Sequence, residues 1–292
     1  MRLGGVLIHP GSVAGIDDFK EVADRYGLSA IVAPAGLDRM GAQEAANWGE
    51  RCHDAGLVIG EAGFWDNLLT PDTELAADRM ARLHRTLRNA GIMGCRSVAI
   101  LPGSRHHSDK GFAADAFMRS REGRGAVRDM VCRALEGMPD GPMRLGMEPY
   151  AASFFYRPED VLAFIEDIND PRFGLHLDLA NMLTVDSFFA SAKVIDEWLP
   201  RLAPHAVSCH LKDLDWPVSP YGLAFAEVDL GEGAIDLGRY LSAIDTLMAP
   251  DMTVFCEHYS EQADYFRNFE RAHAIAASNG LRFLPRTSPI GE

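Results

Sequence analysis

Eight short apolar runs, each followed by a segment of helical periodicity, constrain this chain more than any other feature. The runs fall at residues 3–9, 30–35, 57–64, 97–102, 144–148, 173–178, 206–212 and 252–257. Apolar residues recur at helical spacing over 17–26, 42–55, 74–90, 158–168, 192–202, 237–248 and 263–278. Val6-Leu7-Ile8 and Val98-Ala99-Ile100-Leu101 are apolar without a break, as strands buried on both faces are. Gly56, Gly91 and Gly280 stand just past helical segments, where a residue with positive φ ends a helix without a Cβ clash. Pro158, Glu159 and Asp160 suit a helix's first turn, which needs no N–H at its start and favours negative charge.

Eight strand-then-helix units in 292 residues predict an α/β fold: a single-domain (β/α)8 TIM barrel over residues 1–292. The competing arrangement is an open doubly wound sheet. No Gly-x-Gly-x-x-Gly follows the first run, and Gly231-Glu232-Gly233 lacks the third glycine and follows the seventh. Two longer connections, 103–126 and 214–235, follow the fourth and seventh runs, on the barrel side where active sites are built. Trp216, Pro217, Pro220, Tyr221 and Phe225 in the second of these either wall a pocket or pack the loop down.

Composition removes several function classes. Lys and Arg number 28 against 42 Asp and Glu, a formal charge of −14, so no nucleic-acid partner is expected; phosphate backbones are held by clustered cations. Cys52, Cys95, Cys132, Cys209 and Cys256 are odd in number and widely spaced, which predicts reduced core thiols and a cytoplasmic location. The first residues enter an apolar run at once without a basic segment, and no stretch approaches the length of a membrane span, so neither a signal peptide nor a membrane partner is expected.

Chemistry concentrates at the ends of the last four runs. Met147-Glu148-Pro149, His176-Leu177-Asp178, His210-Leu211-Lys212-Asp213 and Cys256-Glu257-His258 each place a metal-ligand type at a strand's C-terminal end. Consecutive strands of one barrel would bring three carboxylates and an imidazole together at its mouth, as a divalent metal site requires. Glu148, Asp178, His210 and Glu257 are therefore the candidate ligands. A set of oxygens and one imidazole, without thiolate, suits Mn²⁺ best, with Mg²⁺ or Co²⁺ as alternatives; Zn²⁺ is compatible with the ligand types. By alternation His176 shares a face with Asp178 one layer deeper, and Cys209 and Cys256 face away from the site. His258 is expected to point off the barrel axis unless the backbone turns there, and to bind the loop or the outer shell rather than the ion. Lys212 offers a cation for a substrate hydroxyl or oxyanion, or else pairs with Asp213 or Asp215. His9, Glu61 and the pair His106-His107 are further candidates for acid, base or substrate contact, each with a structural alternative.

The succession Glu148-Pro149, Leu177-Asp178-Leu179-Ala180-Asn181-Met182, Cys209-His210-Leu211-Lys212-Asp213, Gly231-Glu232-Gly233-Ala234-Ile235-Asp236 and Glu257-His258 resembles the xylose-isomerase-like barrel superfamily of sugar isomerases and epimerases. The resemblance implies that Glu148, Asp178, His210 and Glu257 bind one divalent ion, and that Glu148 and Glu257 trade a proton at an epimerised carbon. It further implies a metal-dependent isomerase or epimerase of a sugar or keto-sugar, working through an enediolate. Ketose 3-epimerases of this group carry histidine and arginine where this chain has Asn181 and Trp216, so their substrate-holding set is not reproduced. Lys212, Asn181, His9 and His176 are the candidate substrate contacts. The alternative is a lyase on the same scaffold, a keto-inositol dehydratase or a 3-keto-glycoside or C-glycoside deglycosidase subunit. The expected partners are a small carbohydrate substrate and further copies of the chain, with a heteromeric subunit where the lyase holds. An apurinic-site nuclease shares the barrel but needs more ligands and a basic face; a non-catalytic barrel would not need four intact ligand types.

Overall fold

A computed structural model describes residues 1–6, 15–218 and 224–286. Eight parallel strands close into a barrel: β1 (Arg2–Gly5), β2 (Ala30–Val32), β3 (Val58–Phe64), β4 (Ser97–Ile100), β5 (Arg144–Met147), β6 (Phe173–Asp178), β7 (Ala206–Leu211) and, after two short strands, β10 (Thr253–Cys256). Their spatial order follows the chain around the ring, with β10 closing against β1. Helices join successive strands and cover the barrel, the longest being Thr73–Met93 and Gln262–Ser278.

The apolar runs become strands because their side chains are buried on both faces. All six residues of β6 are buried, as are all four of β4 and of β10. Inside the barrel Phe255 occupies space that two glycines leave: a Cβ on Gly4 would lie 2.0 Å from its ring, and one on Gly60 2.7 Å. The close-packed floor keeps the mouth residues in one layer.

Three local expectations change. The first strand ends at Gly5 among the described residues, and His9 lies outside them. Helix Arg121–Glu136 begins within the 103–126 connection, capped by the Ser120 hydroxyl accepting from the Gly123 N–H at 2.9 Å. Gly123 and Gly125, each about 1 kcal/mol poorer than Ala in a helix, hide that start from propensity. The 214–235 connection is not all loop: β8 (Asp213–Asp215) pairs antiparallel with β9 (Ala226–Val228), in the register Asp213 with Val228. No helix among the described residues is long and apolar enough to cross a membrane.

Candidate metal centre at the barrel mouth

Register brings the four ligand candidates together. Asp178 is paired with His210 across β6 and β7, and His210 with Phe255 across β7 and β10, so Glu257 emerges beside Lys212 two residues later. Glu148 follows β5, where its N–H still donates to the Ile100 carbonyl at 2.9 Å. One ligand atom from each of Glu148, Asp178, His210 and Glu257 lies within 4.8 Å of the others. All four residues are buried but Glu257, whose side chain is 13% exposed and so opens toward the mouth.

The layer beneath fixes the imidazole. His210 Nε2 is 3.0 Å from Glu61 Oε1, which makes that nitrogen the donor, and Nδ1 faces Glu257, Asp178 at 3.6 Å and Glu148 at 3.9 Å. A carboxylate holding the far nitrogen orients a ligating histidine and raises its basicity. His176 lies below, its ring 4.0 Å from that of His210 and nearly perpendicular, with Nδ1 2.5 Å from Ser208 Oγ and 3.5 Å from Glu61 Oε2. Glu61, His176 and His210 form a second group with ligand spacing, directed inward from the first.

The donor set fits a divalent ion. His210 Nδ1, Asp178 Oδ2 and Glu257 Oε1 are buried without an aligned hydrogen bond, although each lies close to other charged atoms. Acceptors converging in a buried space need a cation between them, because each loses its hydration and repels the rest. Lys212 supplies part of that charge: its Nζ is 2.8 Å from Asp178 Oδ2 and 2.6 Å from Glu257 Oε1, contacts that are short but poorly aligned for hydrogen bonding.

These neighbours shift the titration of the metal-free cluster. Burial and the nearby Glu257 push the Glu148 carboxyl well above its ordinary range. Burial acts the same way on Glu257, but His210 and Lys212 outweigh it and hold that carboxyl at about 2. Asp178 is likewise held low by Lys212 and His210 against burial. Burial works against charge on Lys212 and on His210, yet the surrounding carboxylates raise both well above their usual values. Burial and the adjacent His210 depress His176 to about 4, as suits a neutral ring in the lower layer.

Other sequence candidates separate around this cluster. Asn181 sits on the short helix Leu179–Met182; its Nδ2 donates to Glu148 Oε1 at 2.7 Å, and its backbone N–H is capped by Asp178 at 3.1 Å. Lys212 does not pair with Asp213 or Asp215 but with the carboxylates of Asp178 and Glu257, and reaches Glu227 at 3.7 Å. His258 binds the loop: the backbone turns there with φ 65°, and its Nδ1 is 2.8 Å from Glu227 of β9. The rings of His106 and His107 lie 4.1 Å apart, tilted by 40°, with His106 bound to Ser108, and neither residue belongs to a ligand group. Cys209 and Cys256 are buried, Cys209 against Met248. Trp216 and Phe225 pack with Phe188, the two phenyl rings stacked at 4.4 Å, so these aromatics hold the loop down; Tyr221 lies outside the described residues.

One contributor had little signal in the sequence: Glu227 acts through a hairpin that no turn motif announces. Glu61, a candidate as an acid inside an apolar run, meets His210 in the lower layer. Asp213 organises the segment between: its carboxylate accepts the N–H groups of Leu214, Gly231, Gly233 and Ile235 at 2.9 to 3.1 Å. A Cβ on Gly233 would lie 2.2 Å from that carboxylate, so glycine there permits the close wrap. Asp213→Ala strands four backbone donors and is expected to destabilise the protein by about 2 to 4 kcal/mol. A urea midpoint equal to that of the parent would show that the wrap carries no stability.

Comparison with known proteins agrees with this architecture. The profile of the family described as Xylose isomerase-like TIM barrel matches residues 8–286. A xylose isomerase domain protein from Planctomyces limnophilus superposes with a TM-score of 0.66 at 20% identity, over 95% of each chain. An L-ribulose 3-epimerase gives 0.65 at 17% identity, over 97% of this chain and 99% of that one. A xylose isomerase-like barrel protein from Mycobacterium smegmatis in complex with magnesium gives 0.65 at 16%, over 95% and 97%. Structures of similar score include an IolI protein with a bound zinc atom, a probable 3-DHS dehydratase from Bacillus anthracis and an endonuclease IV from Thermus thermophilus. At these identities the likeness is one of fold, which hosts several chemistries. Among curated sequences, the human E3 ubiquitin-protein ligase TRIM47 is 29% identical over 164 residues, 52% of this chain. The chain spans 24% of that protein's length, so its activity carries no reading of this one.

Proposed function

Because the chain belongs to the xylose isomerase-like TIM barrel family, we propose that it is a divalent-metal-dependent isomerase or epimerase of a sugar or keto-sugar. The observation that supports this most is the convergence of Glu148, Asp178, His210 and Glu257 within 4.8 Å at the mouth, with the far nitrogen of His210 held by Glu61. These four residues would hold one ion, Mn²⁺ by preference. When bound, that ion would polarise a substrate carbonyl and stabilise negative charge on its oxygen.

The chain's own residues then divide the work. Glu148 and Glu257 come from strands three apart in the ring and approach the centre from different sides, as removal and return of a proton at one carbon require. Asn181 restrains Glu148 through Oε1, leaving its other oxygen for the substrate. Lys212, buried beside Asp178 and Glu257, places a cation where an oxyanion or hydroxyl would lie. His258 and Glu227 close one side of the mouth. A lyase is the second reading. Lys212 favours it, since the same cation would hold a departing oxygen, and a probable dehydratase is among the structures sharing the fold.

The test is metal analysis of stripped and reloaded protein, coupled to deuterium uptake from D2O into a panel of keto-sugars and 3-keto-glycosides. Uptake that disappears on stripping and returns with Mn²⁺, with an altered sugar as product, is the expected result. Loss of water or an aglycone would move the assignment to lyase. Uptake indifferent to metal would overturn the ligand assignment.

A further inference from the structure

Above the carboxylate cluster lies a cavity of about 400 Å³ whose floor is Glu61, Glu148 and Glu257 and whose walls are apolar. Trp65, Phe112 and Tyr150 line it, the first two 45% and 51% exposed. Phe112 stacks on Tyr150 with centroids 6.0 Å apart. Trp65 folds back over Gly63, where a Cβ would lie 2.2 Å from its indole nitrogen, so the backbone is shaped to seat that ring. Large aromatic faces left open at the edge of a cavity are contact surfaces for an apolar or flat ligand group.

Charge narrows the ligand further. No Lys or Arg lines the cavity among the described residues, and residues 7–14, 219–223 and 287–292 contain neither type. Lys212 lies in the carboxylate cluster beside Asp178 and Glu257 and not along the cavity's walls, and Arg105 lies over the Phe117 ring at 3.6 Å. Along these apolar walls a phosphate would meet no Lys or Arg to hold it, whereas a flat apolar group would meet Trp65 and Phe112 and the hydroxyls of a polyol would find acceptors at the floor.

We propose that the site takes an uncharged sugar carrying a flat apolar substituent, with the sugar over Glu148 and Glu257 and the substituent along Trp65 and Phe112. This rests on the carbohydrate reading above and excludes a phosphate in place of the flat substituent. It identifies the substrate class as aryl-bearing glycosides or their keto derivatives.

The experiment measures equilibrium binding to the full-length, Mn²⁺-loaded protein of matched phenyl and methyl glycosides of glucose, galactose and xylose, and of the corresponding sugar phosphates. For at least one sugar the phenyl glycoside is expected to bind roughly ten-fold or more tightly than its methyl counterpart, about 1.4 kcal/mol. Trp65→Ala and Phe112→Ala should each shrink that ratio, while Phe189→Ala, on an exposed residue away from the cavity, should leave it alone. Equal binding of every phenyl and methyl pair, no binding of any glycoside, a ratio untouched by both cavity variants, or a phosphate binding more tightly than its neutral parent would each overturn the proposal. Selective phenyl-glycoside binding without deuterium uptake would instead sink the isomerase reading and keep this one.

Discussion

Glu148→Gln and Glu257→Gln are each expected to slow metal-dependent deuterium uptake by a responsive keto-sugar by about 10²- to 10⁴-fold, the range lost with a positioned acid or base. Glutamine keeps an oxygen at each position but cannot carry the proton. The two variants should differ in metal retention. Glu257 presents its Oε1 directly to His210 and Lys212, whereas Glu148 Oε1 is already engaged by Asn181. Glu257→Gln should therefore weaken Mn²⁺ binding more than Glu148→Gln. Metal content and uptake are measured on the same preparations, so a rate loss at full occupancy isolates proton transfer from ligation. Uptake near the parental rate in both metal-loaded variants would remove the two glutamates from the chemistry.

The second large effect is expected from Lys212→Met in the metal-free protein, a destabilisation of about 3 to 5 kcal/mol, as when one partner of a buried ion pair is removed. The Lys212 side chain is 2% exposed and its ammonium lies between Asp178 and Glu257, which methionine would leave facing each other without that cation. A divalent ion on the same carboxylates should recover much of the loss, because binding to the folded state adds its free energy to stability. Urea midpoints in chelator and in saturating Mn²⁺ give the comparison. If the variant loses the same stability in both, Lys212 and the metal are not sharing these carboxylates. The prediction depends on placement: a lysine paired with the exposed Asp215 would lie in a wetter setting and cost far less to remove.

Much of the site could be read from residues at strand ends. Glu148, Asp178, His210 and Glu257 each close an apolar run, and strand periodicity alone sets His176 one layer below Asp178. What could not be read was which neighbour each polar group meets. Glu61 and His210 are 149 residues apart in the chain, and only closure of the barrel sets them 3.0 Å apart. Glu227 depends on the β8–β9 pairing, and no short turn motif marks a hairpin with so long a connection. His258 binds the loop, as its place past the strand end suggests, but that its partner is Glu227 follows from the positive φ at His258 and from the path of the connection. The aromatic walls were equally hidden, since Trp65, Phe112 and Tyr150 sit on three separate connections whose sequence shows no common pattern.

By itself, then, the sequence determined the eightfold alternation of buried strand and helix, hence the barrel, and the strand ends that carry ligand-type side chains. Those are local properties: burial on both faces demands apolar runs, and a strand's end determines which side chain reaches the mouth. Tertiary structure alone decided that Lys212 joins the carboxylates, that Glu61 holds His210, and that the described residues walling the mouth cavity are aromatic and apolar with no Lys or Arg among them. Each of these is a meeting of residues distant in the chain, governed by ring closure and by loop paths that no local periodicity encodes.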